Sequence, residues 1–390
     1  MRIIKVSELQ VGSKFSKPVF LDADNMFLNA DTPVTDADIR RLKKFGFKEV
    51  MTHGEVVTKS SPIPDETPIE LEPLDFSANF DDDNAVLKQN YDSKIKRMPD
   101  FLTVYRNSFD ILRDFYRQIA DKKQPDISPI RKVSEDIIEL LKKLGNISFY
   151  LLQHETDGYY LYNHVLYASF YAIFLGMQMK FNRPKLIDLG SGALLADIGM
   201  AKIPHDISDK TESLRPDEVA LIKKHTLVGF HILTGLLKFK KNIAMLALQH
   251  HENFDGSGYP QKLKSGTIDE LSRVYTIADH FSALVLDRPW RKKKLPYEAL
   301  RSMISGNMNK FDVRYMKIFI ACVSMYPVGS YVELSNNSLG MVVESNPKKP
   351  LRPVVLLVKD SSGRQFPQAN RFVDLAKEDV LSVTKAITYS

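Results

Sequence analysis

Cysteine is all but absent from the chain. Cys322 stands alone among 390 residues, which excludes an intrachain disulfide and fits a reducing compartment. The N-terminus, MRIIKVSELQVGSKF, lacks the long apolar run of a signal peptide. Charge of one sign is in no great excess. A net charge of +6 suits an anionic ligand but does not argue for a nucleic-acid polymer as partner. Internal repeats and low-complexity tracts are missing too. One apolar run, Tyr159–Met179, is long enough to cross a bilayer. It carries Asn163, His164 and Gln178 and has no companion, so the expectation is a buried core helix and no membrane span. What these absences leave is a cytoplasmic protein with room for about two or three domains.

The chain reads as mainly α. Residues 1–55 suggest a small α+β domain: strand-like runs at Ile3–Leu9, Phe15–Leu21 and Met26–Leu28, a helix capped at Thr35 and stopped by Gly46, and a returning strand at Phe47–Thr52. Residues 56–80 hold Pro62, Pro64, Pro68 and Pro73, which forbid a continuous helix or central strand and mark a linker. Connecting helices are expected over 81–125, interrupted by Pro99. Their apolar faces would pack on the next domain, or the stretch 84–123 would pair two copies as a homodimer. A helical domain spans 126–327, with helical period at 130–144, 147–155, 160–180, 184–197, 216–237, 241–252, 270–287 and 296–326. Residues 328–390 turn β-rich, with short runs at Tyr331–Leu334, Gly340–Glu344, Val354–Val358 and Phe372–Leu375.

The densest polar stretch is Gln249–Pro260, QHHENFDGSGYP, which follows the apolar run Ile243–Leu248. A buried helix ending in His-His-Glu must either hydrogen-bond those side chains or give them a metal. Asp255, Gly256 and Gly258 suit a tight turn, both glycines being free to take positive φ, and Pro260 closes it. Four more polar positions stand among apolar neighbours in expected helices: His164, Asp197, His225 and Asp279. Each alone reads as a satisfied polar group. Together they point to a common partner, and a metal centre would be one.

QHHENFDGSGYP resembles the HHExxDGxGYP signature of the HD-GYP family. The resemblance spans about Asn146–Pro327; the TDADIRRLKKFGFKEV segment is similar to the short domain often ahead of such domains, and YPVGSYVEL to their C-terminal close. It implies an HD-type helical bundle, a metal-dependent phosphohydrolase ancestry, and cyclic di-GMP as ligand. It also implies metal ligands at His164, Asp197, His225, His250, His251 and Asp279, with Asp197 bridging and carrying catalysis if the protein is active. Arg288 and Arg291 match basic residues that hold the dinucleotide phosphates. Gly256, Gly258 and Tyr259 would border the same ligand, with Tyr259 packing on a guanine.

The departures from the pattern are specific. The segment LLADIGMAKIP resembles LLHDIGKxxIP, so Ala196 replaces the histidine of the HD pair and Met200 the lysine near the scissile phosphate. Ser282 replaces the second acid of DxxDAL, and Tyr160 a glutamate that trinuclear members use. One centre then keeps Asp197, His225, His250 and His251, while the second, on His164, Asp197 and Asp279, is weak or absent. Iron or manganese is expected ahead of zinc. Loss of a ligand costs at least the ~10–100-fold that loss of its support does, and loss of a cation at developing charge ~10²–10³ in rate. The preferred expectation is a degenerate member that binds metal and cyclic di-GMP with little hydrolysis, working in signalling through protein partners. The alternatives are an active phosphodiesterase and an interaction module without either ligand.

Overall fold

The structure is a computed structural model that describes residues 2–17, 19–20, 26–28, 33–34, 38–40, 42, 49–57, 82–156, 159–208, 210, 212–288, 291–305, 307–346, 348–364 and 372–387. It divides into two compact units, residues 80–329 with 342–354 in one, and residues 1–79 with 330–341 and 355–390 in the other.

The larger unit is helical. Helix α1 (Asp82–Lys96) is followed by α2 (Met98–Ala120), which carries Pro99 in its first turn, where no backbone donor is lost. The buried face of α2, with Phe101, Tyr105, Leu112, Phe115 and Tyr116, packs on helices of the same unit. Next come α3 (Ser128–Leu144), closed by Gly145 at a φ of 72°, and α4 (Ser148–Gln153). The apolar run anticipated as a core helix is α5 (Tyr160–Gln178), buried from Asn163 to Gly176. It packs between α6 (Arg183–Leu194) and α10 (Glu270–Val285). Both neighbours start on side-chain caps, Asn182 accepting from the Lys185 amide and Asp269 from the Leu271 amide. Among the described residues no helix is long and apolar enough to cross a membrane.

The stretch expected as one helix over 216–237 is three pieces. Helix α7 (Pro216–Lys223) ends before α8 (His225–His231), and a π-helical turn, Ile232–Leu236, follows. Helix α9 (Lys241–Gln249) delivers the histidine pair at its C-terminus. The stretch 296–326 is likewise split, into α11 (Pro296–Ile304) and α12 (Val313–Val323).

The smaller unit holds a four-stranded antiparallel sheet, with Arg2–Lys5 pairing with Glu49–Thr52, which pairs with Val19–Phe20, which pairs with Met26–Leu28. Its core contains Val6, Phe15, Val19, Leu42 and Val50. Asp38–Arg40 and Leu42 are helical; the rest of the helix expected from Thr35, and the linker beyond Val57, lie outside the described residues. Near the C-terminus a five-stranded sheet forms around Leu339–Glu344, with Tyr331–Leu334 and Val354–Lys359 at its sides and Phe372–Asp374 and Val383–Ile387 at its edges.

Candidate metal centre

All six expected ligands converge within the helical unit. His164 lies one turn into α5, Asp279 in the middle of α10, His225 at the start of α8 and His250 at the C-terminal cap of α9. Asp197 sits between α6 and the 3₁₀ turn Ile198–Lys202. That turn can press against α8 because Gly199 has no side chain: a Cβ there would stand 2.0 Å from the His225 carbonyl oxygen.

Two clusters share Asp197. Its Oδ1 is 3.2 Å from His225 Nε2 and 3.5 Å from His250 Nε2, and those two nitrogens are 3.2 Å apart. His251 completes this group, with all ligand atoms within 4.8 Å of one another. The other oxygen, Oδ2, lies 3.9 Å from His164 Nε2, which is 2.9 Å from Asp279 Oδ1. Donors about 2.1 Å from one cation stand roughly 3–4 Å apart, so these spacings are those of a ligand set. The set is imidazole and carboxylate with no thiolate, which suits Fe, Mn and Zn alike.

Backbone carbonyls aim the imidazoles. His225 Nδ1–H donates to Ile222 O at 2.7 Å and His250 Nδ1–H to Leu246 O at 2.9 Å. With both Nδ1 atoms committed as donors, two Nε2 lone pairs face each other beside a carboxylate. A proton or a cation between them resolves that repulsion. The charges respond accordingly. Burial alone would raise the Asp197 carboxyl, but His250, His225 and His164 hold it well below the usual carboxylate range. Burial would lower His250, yet Asp197 outweighs it and raises the imidazole's pKa. Burial lowers His225 and, more strongly, His251.

Ser282 supports His164. Its hydroxyl donates to the His164 carbonyl at 2.9 Å and lies 3.1 Å from His164 Nδ1, whose N–H it accepts, so that Nε2 turns a lone pair toward Asp279 Oδ1 that a proton or a cation would satisfy. Ala196 is fully buried and offers only a methyl.

The glycine turn is built as its sequence demands. Gly256 has a φ of 83°, and a Cβ on Gly258 would fall 2.3 Å from the Asn253 nitrogen. Asp255 accepts from the Ser257 amide at 2.9 Å. Glu252, the acid after the histidine pair, is no ligand: buried, it accepts from the amides of Gln261 at 2.6 Å and Leu263 at 3.0 Å. Nothing in the sequence distinguished this strut from a donor. Tyr259 lies 4.8 Å from the His251 ring, with the Lys223 ammonium 4.9 Å above it.

The two arginines part ways. The Arg288 guanidinium lies 5.0 Å over the Tyr160 ring, itself stacked on His164 at 5.3 Å. Arg291, expected beside it on a phosphate, is turned to the end of α10, where it donates to the carbonyls of Ala283 and Leu284. A helix leaves its last carbonyls without internal partners, and this side chain takes two of them.

Two His/Asp clusters that share Asp197 in a helical bundle could hold a metal, and the comparisons with known proteins find an HD domain there. Residues 160–314 match the family described as HD domain, and residues 331–390 match the KOW domain associated with HD domain. The chain is 31% identical over 227 residues to cyclic di-GMP phosphodiesterase PA4108 of Pseudomonas aeruginosa, covering 58% of this chain and 54% of that protein. It is 32% identical over 207 residues to cyclic di-GMP phosphodiesterase PdeB of Borreliella burgdorferi, covering 52% and 54%. The chain thus spans about half the length of these curated relatives. Among solved structures, Bd1817, a HDG"Y"P protein from Bdellovibrio bacteriovorus, aligns with a TM-score of 0.47 at 17% identity, over 82% of this chain and 97% of that one. Residues 160–314 thus match an HD domain, and the chain is similar there to cyclic di-GMP phosphodiesterases.

Proposed function

We propose that the protein binds a divalent cation and a cyclic dinucleotide of the cyclic di-GMP class, with hydrolysis reduced or lost, and acts as a sensor or scaffold in signalling. The observation that carries this reading is the asymmetry of the site. Asp197, His225, His250 and His251 form one complete cluster, while the position that would serve the other holds the buried methyl of Ala196. When bound, the cation supplies Lewis acidity toward a phosphodiester oxygen and neutralises charge there. The residues around it bind and orient. Arg288, beside the His164 cluster, offers a guanidinium fork to a phosphate. Tyr259, next to His251, offers a ring to a guanine. Met200 provides no positive charge near the reacting group, which disfavours turnover. The relatives named as cyclic di-GMP phosphodiesterases support the ligand class, and iron or manganese is the proposed cation.

A second reading, an active phosphodiesterase, draws on the survival of His164, Asp197 and Asp279 as a group. One experiment separates the two. The full chain is loaded anaerobically with Mn²⁺ or Fe²⁺ and titrated with cyclic di-GMP by calorimetry, with the nucleotide then run on a column. Recovery of bound, intact dinucleotide is the expected result. Rapid conversion to a linear dinucleotide would establish the enzyme instead, and absence of binding by metal-loaded protein would dismiss both.

A further inference from the structure

Two phenols frame the His164–Asp197–Asp279 cluster. Tyr160 lies one helical turn before His164 on α5, and Tyr275 one turn before Asp279 on α10, so each shares its ligand's helix face. The Tyr275 hydroxyl is buried with no hydrogen-bond partner among the described residues, whereas that of Tyr160 lies beside Arg288. Tyr160 has other work, its ring being sandwiched between His164 and the Arg288 guanidinium. Tyr275 has none. It is fully buried and meets the His250 ring edge-on at 6.0 Å. Apart from burial itself, the strongest influences on its hydroxyl are the charges of Asp279 and Asp197, followed by Tyr116. Tyr116 in turn donates to the Leu194 carbonyl at 3.1 Å, two residues before Ala196. Tyr275 thus shares the α10 face of Asp279 and borders His250, with its hydroxyl unpartnered among the described residues. A buried hydroxyl left unpaired costs folding free energy, and an ion or water site is one of the few reasons such a group persists.

We propose that the Tyr275 hydroxyl serves the position left by Ala196, supplying the oxygen donor with which His164, Asp197 and Asp279 hold a second divalent cation. The inference rests on the metal reading of the site above. The helix register makes the substitution of one donor for another workable. Tyr275 stands on α10, the helix that already delivers Asp279. Phenol oxygen beside two carboxylates and one imidazole is a hard donor set, suited to manganese or ferrous iron.

Manganese binding to the full chain tests it, with ions per chain and affinities measured for the parent, Tyr275→Phe and Tyr160→Phe. The parent should take two ions of unequal affinity. Tyr275→Phe should keep the tighter ion and bind the second at least ~10-fold more weakly, as loss of a ligand or its support does, while Tyr160→Phe keeps both. Adding Ala196→His to Tyr275→Phe should return the second ion by restoring an imidazole. One ion per parent chain, an unchanged second affinity in Tyr275→Phe, or loss confined to Tyr160→Phe overturns the proposal and leaves the function reading intact. No ion at all removes both. Should Tyr275→Phe not fold, tyrosine difference absorption of the parent decides: a change on the second equivalent and not the first supports the assignment, and none overturns it.

Discussion

Glu252 and His250 are neighbours but one residue apart, and they do opposite things with their polarity. Glu252 turns away from the cluster and fastens the glycine turn through the Gln261 and Leu263 amides. Removing it leaves both amides without that acceptor, so Glu252→Ala should lower stability by about 1–3 kcal/mol, measured by urea unfolding of the metal-free protein. His250 turns inward. Its raised pKa means the folded chain holds that proton more firmly than the unfolded one. That contribution is present below about pH 6.5, the ordinary imidazole value, and is lost as pH rises through the raised value. A cation competes for the same lone pair. Manganese affinity should therefore climb with pH through this window by up to ~10-fold per unit, with proton release detected by calorimetry in buffers of different ionisation heat. The sequence made both residues visible as a pair of polar groups at a buried helix end. It could not say which faced the cluster, because that choice depends on where the chain returns at Gln261.

At the scale of elements, the end of α10 shows how adjacent arginines separate. Arg291 spends its guanidinium on the Ala283 and Leu284 carbonyls, whereas Arg288 lies over Tyr160 beside the site. Arg291→Ala should then cost about 1–2 kcal/mol of stability in thermal unfolding. Arg288→Ala should cost about 1 kcal/mol of stability through its contact with Tyr160 and weaken cyclic di-GMP binding by ~1.5–3 kcal/mol, read by calorimetry. Sequence spacing treated the two alike, since only the path of the chain after Val285 tells them apart. The same holds for α7 and α8. Apolar periodicity over 216–237 reads as one helix, yet the chain breaks at Lys224 so that His225 can meet Asp197. The close approach of the Ile198–Lys202 turn to α8 depends on Gly199. Gly199→Ala places a methyl inside contact distance of the His225 carbonyl, and the fold should lose ~3 kcal/mol or more, along with the tighter cation.

For the whole molecule, the broad architecture was legible. Core helices, the histidine-bearing loop and four C-terminal strands follow from periodicity and turn residues. The last strand, Val383–Ile387, escaped notice because Lys385 and Thr384 interrupt its apolar alternation while its pairing with Tyr331–Leu334 supplies the missing drive. The six candidate ligands lie wholly in the helical unit. Scanning calorimetry should accordingly resolve two transitions, of which manganese raises one and chelation lowers the same one; a single transition shifted as a whole would show the units to melt together. The division also bears on how such a chain could have been assembled by recombination. Residues 331–390 match one family as an unbroken segment, yet 342–354 within it belong to the helical unit. A crossover near residue 330 would hand on the helical unit without that piece and the C-terminal segment without its host.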